Sequence, residues 1–356
     1  MAQKHRTSSP VLSISLLVGL ATASVGCGSG LNVNLVDGTH AQPSNVAMFF
    51  TVDDAEGEPV GGLAAESFVI YEDDQRVSPS ESQQTIINQE VAAEHFTLLL
   101  VDMSGSVTES DWVPAITAAA TEFTAAVEAQ QQVGVYAFDG SEEIFEMQPF
   151  RRNRDTPAQG VARLGSFQTR DPSTNLNGAL VQAAATLTAA MATSEAPLRF
   201  GTIVVFTDGT DRAARVSQDD AVDALEDGDF DVFAIGVGSE IAPEVLGEIG
   251  ISGYVLIEDT ASLTQAFTTI GERIVGQTRR FYLLSYCSPA RAGTHEVRVE
   301  ANQGELSGDA TYSFDATGFG PDCDPNRPPA FEAASDQPRP RTARRGGAIR
   351  LEVRAE

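Results

Sequence analysis

The stretch Leu98–Ser110, LLLVDMSGSVTES, decides the reading of the whole chain. Its apolar residues continue a run that begins at Phe96, and a run without polar alternation is the pattern of a strand covered on both faces. The run ends abruptly in Asp102, Ser104 and Ser106. A helix follows, with Pro114 near its start and Ile116, Ala120, Phe123 and Val127 along one stripe. A buried strand feeding a helix is one βα unit. The acid and the two hydroxyls at its tip are groups that a strand interior would reject, so something at the tip must use them.

Working outward, the unit repeats. Strands are expected over 133–138, at an edge near Ile144, and over 202–207, 232–237 and 254–257. Helices are expected around Leu176, Leu180, Ala184, Leu187 and Met191, over 217–226, and around Leu263, Phe267, Ile270 and Ile274. Strands alternating with helices predict an α/β domain over 95–278: a doubly wound, mostly parallel, Rossmann-like sheet with helices on both faces. On its amino-terminal side, 45–94 has the two-residue period of half-buried antiparallel strands, with Val46, Met48, Phe50 and Val52 on one face and Phe68 and Ile70 repeating the pattern. Strand patterns return over 279–320, at 281–286, Val297 with Val299, and Tyr312 with Phe314. These either complete a small β-sandwich-like domain with the first segment or stand beside it. Residues 28–44 read as a linker. The segment 321–356, rich in Pro, Gly and Arg (Arg339, Arg341, Arg344, Arg345, Arg350, Arg354), reads as a disordered tail.

In an open α/β sheet, ligands bind beyond the carboxyl ends of the strands, where the loops diverge. Three such loops carry oxygen donors here. The first has Asp102, Ser104 and Ser106; the second, PSTNLNGAL, has Thr174 ahead of a helix; the third, at the end of GTIVVFTDGTD, has Asp208 directly after an apolar strand. Each alone matches a helix cap or a turn. Their convergence at one sheet edge is what points to a site. Donors that are all oxygen suit a hard cation, Mg²⁺ first, with Mn²⁺ or Ca²⁺ as alternatives.

Other chemistries lack their residues. Gly236 and Gly238 have no third glycine at dinucleotide-binding spacing, and no phosphate-loop G-K-[ST] occurs. His5, His40, His95 and His295 are scattered, which supports neither a zinc cluster nor a Ser–His pair. Asp211 and the acidic stretches around Asp53 and Asp73 read as solvated turns, and Trp112 as a packing residue.

In D102-M-S-G-S106, Thr174 within S-T-N-L, and Asp208 within T207-D-G-T, the chain resembles the von Willebrand factor A-type (vWA) domain with its metal-ion-dependent adhesion site. The segment AIGVG, at 234–238, is similar to the family's fifth strand. The resemblance implies that Ser104 and Ser106 coordinate the ion directly, Thr174 directly or through water, and Asp102 and Asp208 largely through water or hydrogen bonds. Three neutral hydroxyls and two carboxylates leave a divalent ion with affinity for an acidic group from a partner. The expected function is metal-dependent protein binding rather than catalysis. The alternatives are a metal-assisted phosphohydrolase, whose related motif usually has a second Asp where this chain has Ser104, and a scaffold subunit of a cell-envelope complex.

The chain has 356 residues and a formal charge of −27, which disfavours a nucleic-acid partner needing a basic face. Lys4, His5 and Arg6 precede an apolar stretch over 11–25 too short to span a bilayer comfortably, so 1–27 reads as an export signal. It offers two exits. Ser24, Val25, Gly26 and Cys27 resemble a bacterial lipobox, with Cys27 lipidated and the protein anchored to the cell envelope as an outer-membrane lipoprotein. Ala21, Thr22 and Ala23 form an ordinary cleavage site that would release a secreted protein. With Cys27 assigned to lipid, Cys287 and Cys323 remain as a disulfide pair or as two free thiols.

Overall fold

The computed structural model describes residues 30–331, except 81, 88–92, 111, 129–130, 152–156, 197, 229, 239, 328 and 330, together with Ile349. Both export exits and the arginines of the tail lie outside the described residues. In chain order the strands are β1 (Asn32–Ala41), β2 (Asn45–Asp53), β3 (Phe68–Glu72), β4 (Gln75–Arg76), β5 (Thr85–Ile87), β6 (Ala93–Asp102), β7 (Gln132–Phe138), β8 (Phe145–Arg151), β9 (Leu198–Thr207), β10 (Phe230–Val237), β11 (Gly253–Ile257), β12 (Phe281–Cys287), β13 (Thr294–Gln303) and β14 (Leu306–Asp315). The helices are α1 (Gly105–Thr108), α2 (Val113–Glu128), α3 (Pro157–Ala162), α4 (Leu176–Ala192), α5 (Gln218–Glu226), α6 (Pro243–Ile249) and α7 (Leu263–Arg279).

The α/β unit is a six-stranded sheet in the order β11-β10-β9-β6-β7-β8. Every pairing is parallel except β7 with the edge strand β8. β6 lies at the centre, and its consecutive residues feed opposite cores. Leu99 and Val101 pack with α2 and α7, while Leu98 and Leu100 pack with α4, α5 and α6. All four are fully buried, each contributing roughly 1.5–3 kcal/mol of transfer free energy. That two-sided burial is why the run lacks polar alternation.

The flanking segments form two four-stranded antiparallel sheets, β1-β2-β12-β5 and β14-β13-β3-β4. β2 pairs with β12 and β3 with β13, so strands from both sides of the α/β unit share one sandwich. Phe50, Phe68 and Tyr282 centre its core, with ring centroids 5.5 Å apart for Phe50–Phe68 and 5.1 Å for Phe68–Tyr282. Cys287 and Cys323 form a disulfide with Cα atoms 5.7 Å apart. In the chain-entropy account, closing a loop of this length stabilises the fold by roughly 4 kcal/mol.

Three expectations change. The linker over 28–44 contains β1, paired along its length with β2; a bulge between Leu35 and Asp37 breaks the alternation that would have marked it. β2 is buried on both faces, because Ala47 and Phe49 join Ala93, Phe281, Leu283 and Phe331 in a core at the junction with the α/β unit. The tail expected to be disordered from 321 is tied down at its start: Asn45 Nδ2 donates to the Asp324 and Arg327 carbonyls at 2.8 Å each, and Phe331 is buried. Among the described residues no helix is long and apolar enough to cross a membrane.

Candidate metal centre

Three adjacent strands, β9, β6 and β7, each end in an aspartate: Asp208 just after β9, Asp102 as the last residue of β6, and Asp139 just after β7. Parallel pairing aligns these ends, so the acids reach one edge of the sheet.

Backbone bonds then fasten the three loops to one another. Gly105 N–H donates to the Pro172 carbonyl at 3.0 Å, joining the first loop to the second. A side chain at position 105 would place its Cβ 2.8 Å from Pro172 Cβ, so glycine is required for this approach. Arg212 and Ala213 N–H both donate to the Thr174 carbonyl, at 2.8 and 3.0 Å, joining the second loop to the third. Thr207 Oγ1 donates to Asp102 Oδ2 at 2.8 Å, joining the third to the first. Asp102, Ser104 and Thr207 are fully buried, and Thr174 and Asp208 nearly so. This ring of contacts gathers Asp102, Ser104, Thr174 and Asp208, while Ser106 is exposed and adjoins them through its Oγ, 3.3 Å from Ser104 Oγ.

Asp102 Oδ1 accepts the Ser104 N–H at 2.9 Å, but the hydroxyls of Ser104 and Thr174 are not spent on helix caps. Ser104 stands at the N-cap of α1 yet makes no side-chain cap bond; its Oγ lies 3.3 Å from Ser106 Oγ. Thr174 is not the cap of α4, because Asn175 occupies that position, and the first-turn amide of Asn177 bonds to Asp211 Oδ2 at 3.0 Å. Asp211 thus caps a helix, and its other oxygen accepts from Ala214 N–H at 2.8 Å. It is a structural residue rather than a solvated turn. Asp208 Oδ1 is buried with no hydrogen-bond partner among the described residues.

The electrostatics have one sign. Burial pushes the Asp102 carboxyl up to about 7, and the charge of Asp208 adds to the effect; bonds from Ser104 and Thr207 oppose it without cancelling it. Burial also raises Asp208, with the Ser106 hydroxyl beside it acting in the opposite direction. The cation that acts on Asp208, Arg212, is an exposed side chain paired with the equally exposed Glu240, and such a surface pair is worth little. Two buried acids therefore stand together with no interior counter-ion among the described residues.

A hard divalent cation fits these residues. The donors are two carboxylates and three hydroxyls, all of them oxygen, and one carboxylate oxygen is buried with no hydrogen-bond partner among the described residues. Asp102, Ser104, Ser106, Thr174 and Asp208 could hold such an ion, which would keep both acids ionised and offer a Lewis-acidic position to an incoming oxygen.

A family model described as the von Willebrand factor type A domain matches residues 98–269. This segment is a vWA domain. Among solved structures, a von Willebrand factor type A protein from Catenulispora acidiphila is 13% identical, with a TM-score of 0.44 over 81% of this chain and 72% of that one. Proximal thread matrix protein 1 of the mussel byssus, with a zinc-occupied MIDAS motif, is 16% identical, with a TM-score of 0.42 over 52% of this chain and 48% of that one. The vWF domain of the pilus tip protein Mfa5 from Porphyromonas gingivalis is 12% identical, with a TM-score of 0.41 over 53% of this chain and 98% of that one. No curated protein matches the chain.

Two residues of the vWA centre escape the motif. Asp139 is fully buried, and its carboxylate accepts from the Ser141 and Arg170 amides at 2.7 Å and the Asp171 amide at 3.3 Å, fixing the loop that carries Thr174. Thr207 orients Asp102. The signal for Asp139 was present, since AFDG repeats the pattern of an apolar strand ending in Asp. Trp112 packs against the core beneath α2 and α7, as a packing residue should.

Proposed function

We propose that this protein is a metal-dependent protein-binding module of an exported bacterial lipoprotein. Asp102, Ser104, Ser106, Thr174 and Asp208 hold Mg²⁺, and a carboxylate from a partner protein completes its coordination. The observation that carries the reading is the buried, unpartnered Asp208 Oδ1 beside Asp102, inside loops that the backbone already holds together. A preformed cage short of positive charge favours taking an ion from solvent.

The phosphohydrolase reading has less support. His95 lies on the same strand as Asp102 but seven residues earlier, roughly 23 Å away at the rise of a strand, and it stacks on Phe200 with centroids 4.9 Å apart. His40 and His295 belong to the sandwich strands β1 and β13. Among the described residues no histidine is placed to serve as acid or base at the centre.

Melting curves in Mg²⁺ and in chelator test the metal. A rise in Mg²⁺ confined to the parent and absent from Asp102→Ala supports the site, because only a ligand of the folded state stabilises it by mass action. Equal shifts in both proteins would reject it. For the anchor, Cys27→Ala should move the expressed protein from the detergent phase to the aqueous phase; an unchanged partition would remove the lipid from the account.

A further inference from the structure

β11 is an edge strand of the central sheet, bonded on one side to β10. Gly238 N–H donates to the Ile257 carbonyl, so residues 253, 255 and 257 turn their polar groups toward β10, and residues 254, 256 and 258 turn theirs outward. An open row of this kind is a template for a further strand. Leu256, at 38% the exposed large hydrophobic among the described residues, lies on it.

One outward group is already taken. Ile349, eighteen residues beyond the buried Phe331, donates its N–H to the Tyr254 carbonyl at 2.7 Å. The faces of the side chains set the direction of that pairing. Ile349 packs against the core beneath α2 and α7, as do Val255 and Ile257, whereas Tyr254 packs against the opposite core. In an antiparallel ladder a donor and its acceptor residue stand opposite each other and share a face. In a parallel ladder the donor instead stands opposite the residue after its acceptor, here Val255, whose face matches.

We propose that the chain from Ile349 to about Val353 adds to β11 as a seventh, parallel strand of the same molecule. The sequence IRLEVR alternates as a one-sided strand requires. Ile349 and Leu351 would cover Val255 and Ile257 on the apolar face, while Arg350 would lie beside Leu256 and shield it with its alkyl stem. The connection is long enough: the chain between Phe331 and Ile349 reaches roughly 60 Å when extended, at about 3.4 Å per residue.

The register names its own test. In the parallel pairing the amides of Leu256 and Glu258 donate to the tail, whereas the amides of Val255 and Ile257 face β10 and do not. Residue-resolved hydrogen exchange on the full chain and on a chain ending at Ala348 separates the two sets. Truncation is expected to speed exchange at Leu256 and Glu258 by at least about tenfold and to leave Val255 and Ile257 unchanged, which also shows that the sheet is intact. In the full-length Leu351→Pro variant, which loses the amide that would donate to the Leu256 carbonyl, Glu258 is expected to lose protection. Identical exchange at Leu256 and Glu258 in the full and truncated chains would overturn the proposal. Protection that grows with protein concentration would also overturn it, since a second copy would then supply the strand.

Discussion

The molecule buries acids in two places and treats them differently. Asp53, at the end of β2, is 8% exposed, and Arg280 beside it is 5% exposed; Arg280 Nη1 donates to both carboxylate oxygens, at 3.1 and 3.4 Å. Asp102, at the end of β6, is fully buried, and the charge that acts on it most is another acid, Asp208. Burial raises both Asp53 and Asp102, but only Asp53 has its cation built into the chain. At the junction with the sandwich the electrostatics close internally, so the acid there serves structure. At the vWA centre they stay open, which makes that end of the sheet the one that needs something from outside. Asp139 sharpens the contrast: it is as buried as Asp102, yet backbone amides satisfy it, so burial alone does not mark a binding group.

Removing the cation at the junction should have the largest effect. Arg280→Met leaves Asp53 buried and unpaired and should cost about 3–5 kcal/mol. Denaturant unfolding should show the same loss in Mg²⁺ and in chelator. At the vWA centre, Mg²⁺ at a hundred times its dissociation constant should stabilise the parent by about 2.7 kcal/mol. Asp102→Asn should abolish that increment, yet in chelator at pH 8 it should be no less stable than the parent, because it removes one of two like charges. If Asp102→Asn destabilised the chelated protein as Arg280→Met does, the two regions would not differ as argued.

The pH dependence follows the same logic. Asp102 holds its proton to about pH 7 when folded but only to about 3.8 when unfolded, so between these values the folded state binds more protons. Without metal, its contribution to stability is therefore fully present below about pH 4 and declines as the pH rises toward 7 and above. Mg²⁺ requires the ionised form, so the gap between Mg²⁺ and chelator should widen over that same range. Unfolding at pH 5 and pH 8 checks this, and equal gaps would contradict it. The smallest effect is expected from Gly105→Ala. It pushes against Pro172 and should weaken Mg²⁺ binding several-fold, read by titration, with little change in the stability of the chelated protein.

The motif was legible because its parts keep their order along the chain, and the apolar runs of β6, β9 and β10 are the signature of a strand with two covered faces. The helices α2 and α7 were legible from stripes such as Ile116, Ala120 and Phe123 and Leu263, Phe267 and Ile270, whereas their packing together on one face of that sheet shows only in the fold. What the sequence concealed was context. β1 loses its alternation at the bulge and carries Gly38, Thr39 and His40 where an apolar strand would be recognised. The second buried face of β2 depends on what Phe49 meets, Phe281 at 5.5 Å and Phe331 at 6.3 Å, both distant in sequence. Asp53 likewise resembled a solvated turn until Arg280 folded against it from far along the chain. Asp211 looked like a loose turn because the amide that it caps, that of Asn177, belongs to the first turn of α4, far back along the chain.

The most direct test of the account is calorimetric titration of Mg²⁺ into metal-free protein, parent and Asp102→Asn, at pH 8. The account predicts saturable binding of one ion to the parent and none to the variant, with both proteins folded. Equal binding in both would show that the acids at the end of the central sheet do not hold the ion.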